Sequence, residues 1–308
     1  MSNAPIRCIG LSRWYGEVQG LSGLTADIGP GVVGLLGPNG SGKSTLMRLL
    51  TGQIKPSRGK VILFGQELTP GTWRPFSKIA YTPGDDIHFE DERAIDFLVL
   101  MARISGENSI SARNRARCSL EQTGMEESCQ KRLCEMSKGM RQRIKLAQAL
   151  LFEPEVLLLD EPLNGMDPIS RRATLDLIRE LGQEGRTILL ASHVLHDVES
   201  ITKKILLLHH GRLLAEGALE DIRSLINTRP REVVVKTSAP LEVGASLMSN
   251  KLAAGMRFSE LELVVETRQL DELLKHLGEL GCQGLIKGIE IEDNNLESLF
   301  ELLVGEPA

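Results

Sequence analysis

The sequence predicts an α/β fold: a parallel-sheet core with an inserted helical subdomain, followed by a small C-terminal α+β module. Three observations predict it. In the first half, short apolar runs alternate with amphipathic helical patterns, as a parallel sheet covered by helices requires. From Asp91 to Ser137 the strands stop and helical spacing takes over. Near Asn227 to Pro230, a helix ending in Leu225 and Ile226 meets a proline and a fresh strand begins. These bounds give a first domain at residues 1–227, with its helical subdomain at about 85–137, and an accessory module at 228–308. A chain of 308 residues suits two domains of roughly 100 to 200 residues each.

The elements follow in chain order. Val32 to Leu36, Val156 to Leu159 and Thr187 to Ala191 are uninterrupted apolar runs, the pattern of strands buried on both faces. In the inserted region Ile95, Leu98 and Ala102 recur at helical spacing, and polar residues do so between Ser111 and Gln122. The C-terminal module reads as strand (Glu232 to Val235), helix, strand (Leu261 to Val265), helix (Leu270 to Leu280), strand (Ile286 to Ile291) and a last helix with Leu296, Phe300 and Leu303. His209 and His210 fall on a strand where neighbours face apart, which makes them structural rather than metal ligands.

Composition narrows the classes. Apolar residues are 42% and charged residues 25%, ordinary for a globular chain, and 36 Lys plus Arg against 41 acids leave a net charge of −5. Nucleic acid is therefore not an expected partner, because that binding draws on clustered positive charge. The longest apolar runs, such as Ile205 to Leu208, fall far short of the roughly 18 residues that span a bilayer. Met1 to Arg7 lacks the apolar core of a secretory signal, so a cytoplasmic location is expected. Five cysteines without a C-x-x-C pair suit reduced thiols.

The chemistry begins at Gly37-Pro38-Asn39-Gly40-Ser41-Gly42-Lys43-Ser44-Thr45, which fits G-x-x-x-x-G-K-S/T between the Val32 to Leu36 strand and a helix with Leu46, Leu49 and Leu50. Glycines let the backbone N–H groups wrap close to phosphates, and the helix N-terminus favours the anion. Lys43 would neutralise the β- and γ-phosphates, and Ser44 would give its hydroxyl to Mg²⁺. Downstream, Leu157-Leu158-Leu159-Asp160-Glu161 is an apolar strand ending in two acids. Such a pair is either a solvated strand end or a site; beside a phosphate loop, Asp160 would hold Mg²⁺ and Glu161 would deprotonate the attacking water.

Further segments carry a resemblance. Cys134-Glu135-Met136-Ser137-Lys138-Gly139-Met140-Arg141-Gln142-Arg143, Asn164-Gly165-Met166-Asp167, Ala191-Ser192-His193 and Arg13-Trp14-Tyr15-Gly16 stand in the order and positions of the signature, D-loop, switch and adenine-stacking segments of ATP-binding cassette (ABC) ATPases. Over residues 6 to about 225 the chain resembles that family, and its S-K-G-M form resembles exporter-type cassettes whose membrane subunit is a separate chain. The usual L-S-G-G-Q is altered at Met136, Lys138 and Met140.

The resemblance implies a P-loop NTPase core. It implies that Tyr15, with Trp14 as the rival ring, stacks on the base; that Ser137 and Gly139 meet the γ-phosphate held by an opposite subunit, although Ser137 alone would be an ordinary helix cap; that Asp167 contacts that subunit; and that His193 touches the γ-phosphate. ATP and Mg²⁺ would be the ligands. Partners would be a second copy or a paralogous ATPase, and a separately encoded membrane permease docked at the helical subdomain and the Gly84 loop, which would hold the chain on the inner face of the membrane. The implied function is an ATP-hydrolysing motor for an exporter. The alternatives are a soluble cassette ATPase and a nucleotide-gated scaffold with weak hydrolysis. One departure matters: the family stretch I-G-Y-L-P-Q becomes Ile79-Ala80-Tyr81-Thr82-Pro83-Gly84, so the Gln that normally touches Mg²⁺ is absent, and Asp85 or Asp86 is expected to supply the oxygen.

Overall fold

A computed structural model of the chain describes residues 4–69, 71–72, 74–85, 89–218, 220, 231–259 and 261–291. The chain divides into two compact units, Met1–Leu219 and Glu220–Ala308. The boundary expected at Asn227 to Pro230, the last helix at Leu296 to Leu303 and Asp86 all lie outside the described residues.

The first unit opens with β1 (Ile6–Tyr15), β2 (Val18–Ile28), β3 (Gly31–Leu36), α1 (Lys43–Leu50), β4 (Arg58–Leu63), β5 (Gln66–Glu67) and β6 (Ile79–Thr82). It continues through α2 (Ala94–Ile104), α3 (Ser109–Gln122), α4 (Lys138–Leu150), β7 (Val156–Asp160), α5 (Pro168–Gln183), β8 (Thr187–Ser192), α6 (Leu195–Glu199), β9 (Lys204–His209) and β10 (Arg212–Ala218). The central sheet has the order β10-β9-β3-β8-β7-β6 and is parallel except for the β9–β10 hairpin at its edge. β7 and β8 are buried along their whole length, which is why their sequences are apolar without alternation. Their register places Leu36 beside Ser192 and Asp160 beside Ala191, so β3, β7 and β8 end level with one another. Segments leaving those three ends must emerge side by side.

A second sheet, β2-β1-β4-β5, is antiparallel and was not anticipated. Its signal in the sequence is blurred because register shifts at Cys8/Leu11, Leu11/Arg13 and Arg13/Trp14 interrupt the period-two alternation. α1 packs in one apolar cluster with both sheets: Leu46, Met47, Leu49 and Leu50 join Ile6, Leu11 and Leu24 of the outer sheet and Leu35 and Leu158 of the central one. The helical subdomain has its own core, where Leu98 and Ala102 of α2 meet Ala112, Ala116 and Leu120 of α3 and Ile144 and Ala147 of α4. Asn108 caps α3 by accepting from the N–H groups of Ile110 and Ser111 at 3.0 and 2.9 Å.

One expectation fails here. β9 ends at His209 and His210 turns away with φ 43°, so the two imidazoles do not face apart but pack edge to face with centroids 4.0 Å apart.

The second unit runs β11 (Arg231–Thr237), α7 (Pro240–Ser249), β12 (Gly255–Phe258), β13 (Glu262–Thr267), α8 (Leu270–Cys282) and β14 (Ile286–Ile291). Its sheet order is β12-β13-β11-β14, antiparallel throughout, which is the ferredoxin-like β-α-β-β-α-β arrangement. Val233, Val235, Leu263 and Val265 pack against Val243 and Leu247 of α7 and Leu273 and Leu277 of α8. β12 was missed in the sequence because it is a four-residue edge strand with no full alternation to read. Among the described residues no helix is long and apolar enough to cross a membrane, and all five cysteines are free thiols.

Candidate nucleotide-binding site

The loop after β3 folds tightly for steric reasons. A Cβ on Gly37 would lie 2.4 Å from both the Leu208 carbonyl and the Ser41 hydroxyl. Gly42 has φ 106°, and a Cβ there would lie 2.6 Å from the Gly20 carbonyl. A backbone bond from Gly211 N–H to Ser41 O at 3.0 Å ties the loop to the β9–β10 turn, and one from Ser22 N–H to Gly211 O at 2.7 Å ties that turn to β2. Because Gly42 is the N-cap of α1 and carries no side chain, no side-chain bond occupies the first-turn N–H groups. Pro38, Asn39, Gly40 and Ser44 are exposed, Thr45 is half-buried, and the Ser41 hydroxyl is buried without a hydrogen-bond partner among the described residues.

Lys43 is 6% exposed, and its Nζ donates back to the carbonyls of Gly37 at 2.6 Å and Pro38 at 3.1 Å. Burial lowers its pKa from the usual 10.5, against the opposing pull of Glu161 and Asp160. Asp160, 4% exposed, ends β7 close to the Tyr81 hydroxyl of β6. Burial, with the Asp160 charge second, pushes that phenol up to about 12.

Glu161 departs from the strand with φ 48°, a left-handed conformation that costs a non-glycine residue about 1–3 kcal/mol. Its N–H is held by the Ala191 carbonyl of β8 at 3.0 Å. The turn aims the carboxylate between two partners: Oε2 lies 2.9 Å from His193 Nδ1 and Oε1 lies 3.9 Å from Lys43 Nζ. Oε1 is buried and accepts no hydrogen bond from a described residue. His193, half-exposed just past β8, completes a cluster drawn from three adjacent strand ends, the position where open α/β sheets bind ligands.

Tyr15 is 40% exposed and packs against Gly20, whose missing Cβ would lie 2.8 Å from the ring and 3.3 Å from the Thr45 hydroxyl. Trp14 turns elsewhere, with the Arg58 guanidinium 5.7 Å from its ring centroid. Tyr15 is thus the ring beside α1, and Arg13 lies 5.0 Å from its centroid.

Ser137, Gly139 and Asp167 form a second group. Ser137 is the N-cap of α4 and accepts from Met140 N–H at 3.2 Å. A Cβ on Gly139 would lie 3.3 Å from the Met166 Cα, and one on Gly165 would lie 2.5 Å from the Lys138 side chain, so the start of α4 packs on the turn before α5. Asp167 caps α5, accepting from Ile169 N–H at 3.1 Å and Ser170 N–H at 3.0 Å. Its carboxyl is held below the usual range by hydrogen bonds from Ser170. Among the described residues no side-chain hydrogen bond or ion pair joins this group to Lys43, Glu161 or His193. Gly84 is exposed, and a Cβ there would meet only the Asp160 carbonyl, at 3.6 Å.

Two features escaped the sequence reading. The nearness of Tyr81 to Asp160 depends on β6 lying beside β7, with Tyr81 opposite Leu158. The Arg171 to Asp197 ion pair, at 3.0 Å, ties α5 to the helix that follows His193. Each of its members stands one turn beyond a residue already singled out, Asp167 and His193, and that spacing is the signal that could have found it.

Comparison with known proteins agrees with this geometry. A family model described as ABC transporter matches residues 21–164. The daunorubicin/doxorubicin resistance ATP-binding protein DrrA of Streptomyces peucetius is 29% identical over 317 aligned positions, covering 100% of this chain and 96% of its own length. Daunorubicin resistance ATP-binding protein DrrA3 of Streptomyces coeruleorubidus is 30% identical over 99% of this chain and 98% of its own length. Nod factor export ATP-binding protein I of Paraburkholderia xenovorans is 33% identical over 71% of this chain and 72% of its own length. A solved ATP-binding subunit of an ABC transporter is 30% identical, with a TM-score of 0.65 over 72% of this chain and 93% of that one. With relatives matched end to end, and with the glycine-rich loop, the acidic strand end and His193 brought together at three adjacent strand ends, the chain belongs to the ABC transporter family, among its ATP-binding proteins.

Proposed function

We propose that the chain is an ATP-hydrolysing motor subunit that dimerises around ATP and drives a separately encoded membrane permease as an exporter. The observation that carries hydrolysis is the Glu161 carboxylate, held 2.9 Å from His193 and 3.9 Å from Lys43 at the open ends of the sheet. On this reading Lys43 exchanges its loop carbonyls for the β- and γ-phosphate oxygens, and the N–H groups from Gly37 to Thr45 cradle the rest. Glu161 takes the proton of the attacking water while His193 orients the carboxylate and the γ-phosphate. Tyr15 offers its exposed ring to adenine.

Mg²⁺ fits the residues present. Asp160 is a nearly buried carboxylate beside the exposed Ser44 hydroxyl's helix, and a hard cation with one carboxylate, one hydroxyl, phosphates and waters needs no larger protein cage. When bound, it would neutralise charge developing on the phosphate oxygens. Asp85 stays a candidate third oxygen, since its charge acts on Tyr81 together with that of Asp160.

Ser137 and Gly139 stand apart from the Lys43 cluster within one chain, which supports two copies sharing each site: the phosphate loop from one, α4 from the other, with Asp167 at the seam. Export is supported by the likeness to a Nod factor export ATP-binding protein and, end to end, to two daunorubicin-resistance ATP-binding proteins. A permease would hold the chain on the inner face of the cell membrane. Gly84, with no side chain beside Asp160, favours a second reading, a nucleotide-gated scaffold that hydrolyses weakly.

One experiment separates the two. Mg²⁺-dependent hydrolysis is measured against protein concentration, with Glu161→Gln in parallel and gel filtration of both in ATP. The motor reading expects a rate per subunit that rises with concentration, at least a hundredfold loss in the variant, and an ATP-held dimer of the variant. Tight ATP binding with negligible turnover of the parent, unchanged when a permease is supplied, would establish the scaffold.

A further inference from the structure

Lys145 stands where the pattern of α4 calls for an apolar residue. It is 3% exposed between Ile144 and Leu146, and a buried ammonium persists only when it is well bonded. Its Nζ crosses from α4 to the loop after β6 and donates to the backbone carbonyl of Asp85 at 2.6 Å. That loop borders the nucleotide site. Gly84 lies against the Asp160 carbonyl, and the charges of Asp85 and Asp160 both reach the Tyr81 hydroxyl.

The same helix begins, about two turns earlier, at the Ser137 cap. α4 is therefore one rod with its N-terminus at the segment proposed to meet a partner's nucleotide and its middle bonded to the loop beside Asp160. Gly84 has no side chain with which to reach the helix or the site. The link between them is made from the helix side instead, by an ammonium gripping a carbonyl, and a carbonyl reports movement of the loop backbone itself.

We propose that Lys145 is a positioning residue that couples α4 to the 84–85 loop, so that nucleotide bound at one end of the helix is felt at Asp160 through the bond from Lys145 Nζ to Asp85 O. This rests on the ATP-binding reading above. It adds a route by which the helical subdomain and the site move together.

The test uses the full chain carrying Glu161→Gln, so that turnover plays no part, and reads amide hydrogen exchange with and without Mg²⁺-ATP. In the parent, ATP should protect both the 37–45 and the 79–85 segments. Lys145→Met should keep the protection at 37–45 and lose most of it, at least fivefold in exchange rate, at 79–85; Lys145→Arg should restore it. In a chain that keeps Glu161, Lys145→Met should slow turnover about tenfold with ATP affinity within threefold of the same chain with Lys145 intact. The proposal is overturned if Lys145→Met keeps the ATP-dependent protection at 79–85. It is equally overturned if protection is lost at both segments and Lys145→Arg restores neither, which marks a purely structural lysine. Absence of protection at 37–45 in the parent would instead sink the ATP-binding reading, and with it this one.

Discussion

At the residue scale, Lys43 shows how a phosphate loop is built to accept charge. Burial lowers its pKa from 10.5 in the free chain, and the nearby Glu161 and Asp160 only partly oppose that shift. Entering phosphates add negative charge at the ammonium and raise the pKa again. With the lower value in the free chain and the higher value in the complex, binding takes up a proton when the pH lies between them. ATP affinity should therefore fall as pH climbs through that alkaline window. Calorimetric titrations in two buffers of different ionisation enthalpy measure the uptake directly; identical heats in both would refute it. Lys43, Ser44, Asp160 and Glu161 were all legible in the sequence because each lies in a contiguous motif whose chemistry is local. The neighbour of Asp160 was not. Tyr81 reaches it from a neighbouring strand, and nothing within the motif Ile79 to Gly84 says which strand lies beside it.

At the element scale, the helices behind the site are tied by charge. Asp197 is 4% exposed and its carboxyl is raised by burial, against the lowering influence of Arg171 and then of His196 and His193. Desolvation therefore exceeds the attraction, as is common for buried pairs. Removing one partner still destabilises, because the other is stranded. Asp197→Ala should cost about 1–3 kcal/mol, less than a fully buried pair because Arg171 reaches solvent. Denaturant titration checks the magnitude, and paired replacement of Arg171 and Asp197 by apolar residues should recover most of it. A single-variant loss below about 0.5 kcal/mol would show the pair to be incidental. Asp167→Ala removes a cap accepting two N–H groups at the start of the same α5, one turn before Arg171, and should lower the denaturation midpoint as well. Strands β3, β7 and β8 were readable since burial on both faces leaves a continuous apolar run. β1 and β2 were not, as their bulges scramble the alternation that marks an antiparallel strand.

At the scale of the whole molecule, every residue assigned to nucleotide lies between Tyr15 and His193, inside the first unit, and the second unit closes a separate core around Val233, Val235, Leu263 and Val265. A chain ending at Leu219 should consequently bind Mg²⁺-ATP within about threefold of the full chain, since among the described residues each unit has apolar clusters of its own. Equilibrium binding of a fluorescent ATP analogue to both chains is the check. A loss of tenfold or more in a chain that melts like the parent would place the second unit at the site. The likeness of both daunorubicin-resistance proteins across this entire chain, set against the coverage of about seven tenths by the Nod factor export protein, identifies the ferredoxin-like unit as a part that some relatives share end to end.

The sequence by itself determined the kind of chemistry and its order along the chain. A glycine-rich loop, a lysine, an acidic pair and a histidine after a strand declare phosphate chemistry because steric freedom, charge and donor type belong to the residues themselves. Only the tertiary structure decided which of them meet. Glu161 stands between Lys43 and His193 because three strands end level, and Lys145 grips Asp85 because α4 crosses the strand before it. Register and crossing are set by hydrogen bonds and buried surfaces between segments far apart in the chain, and a slip of one residue in the pairing of β7 or β8 would turn that strand's side chains to the opposite face.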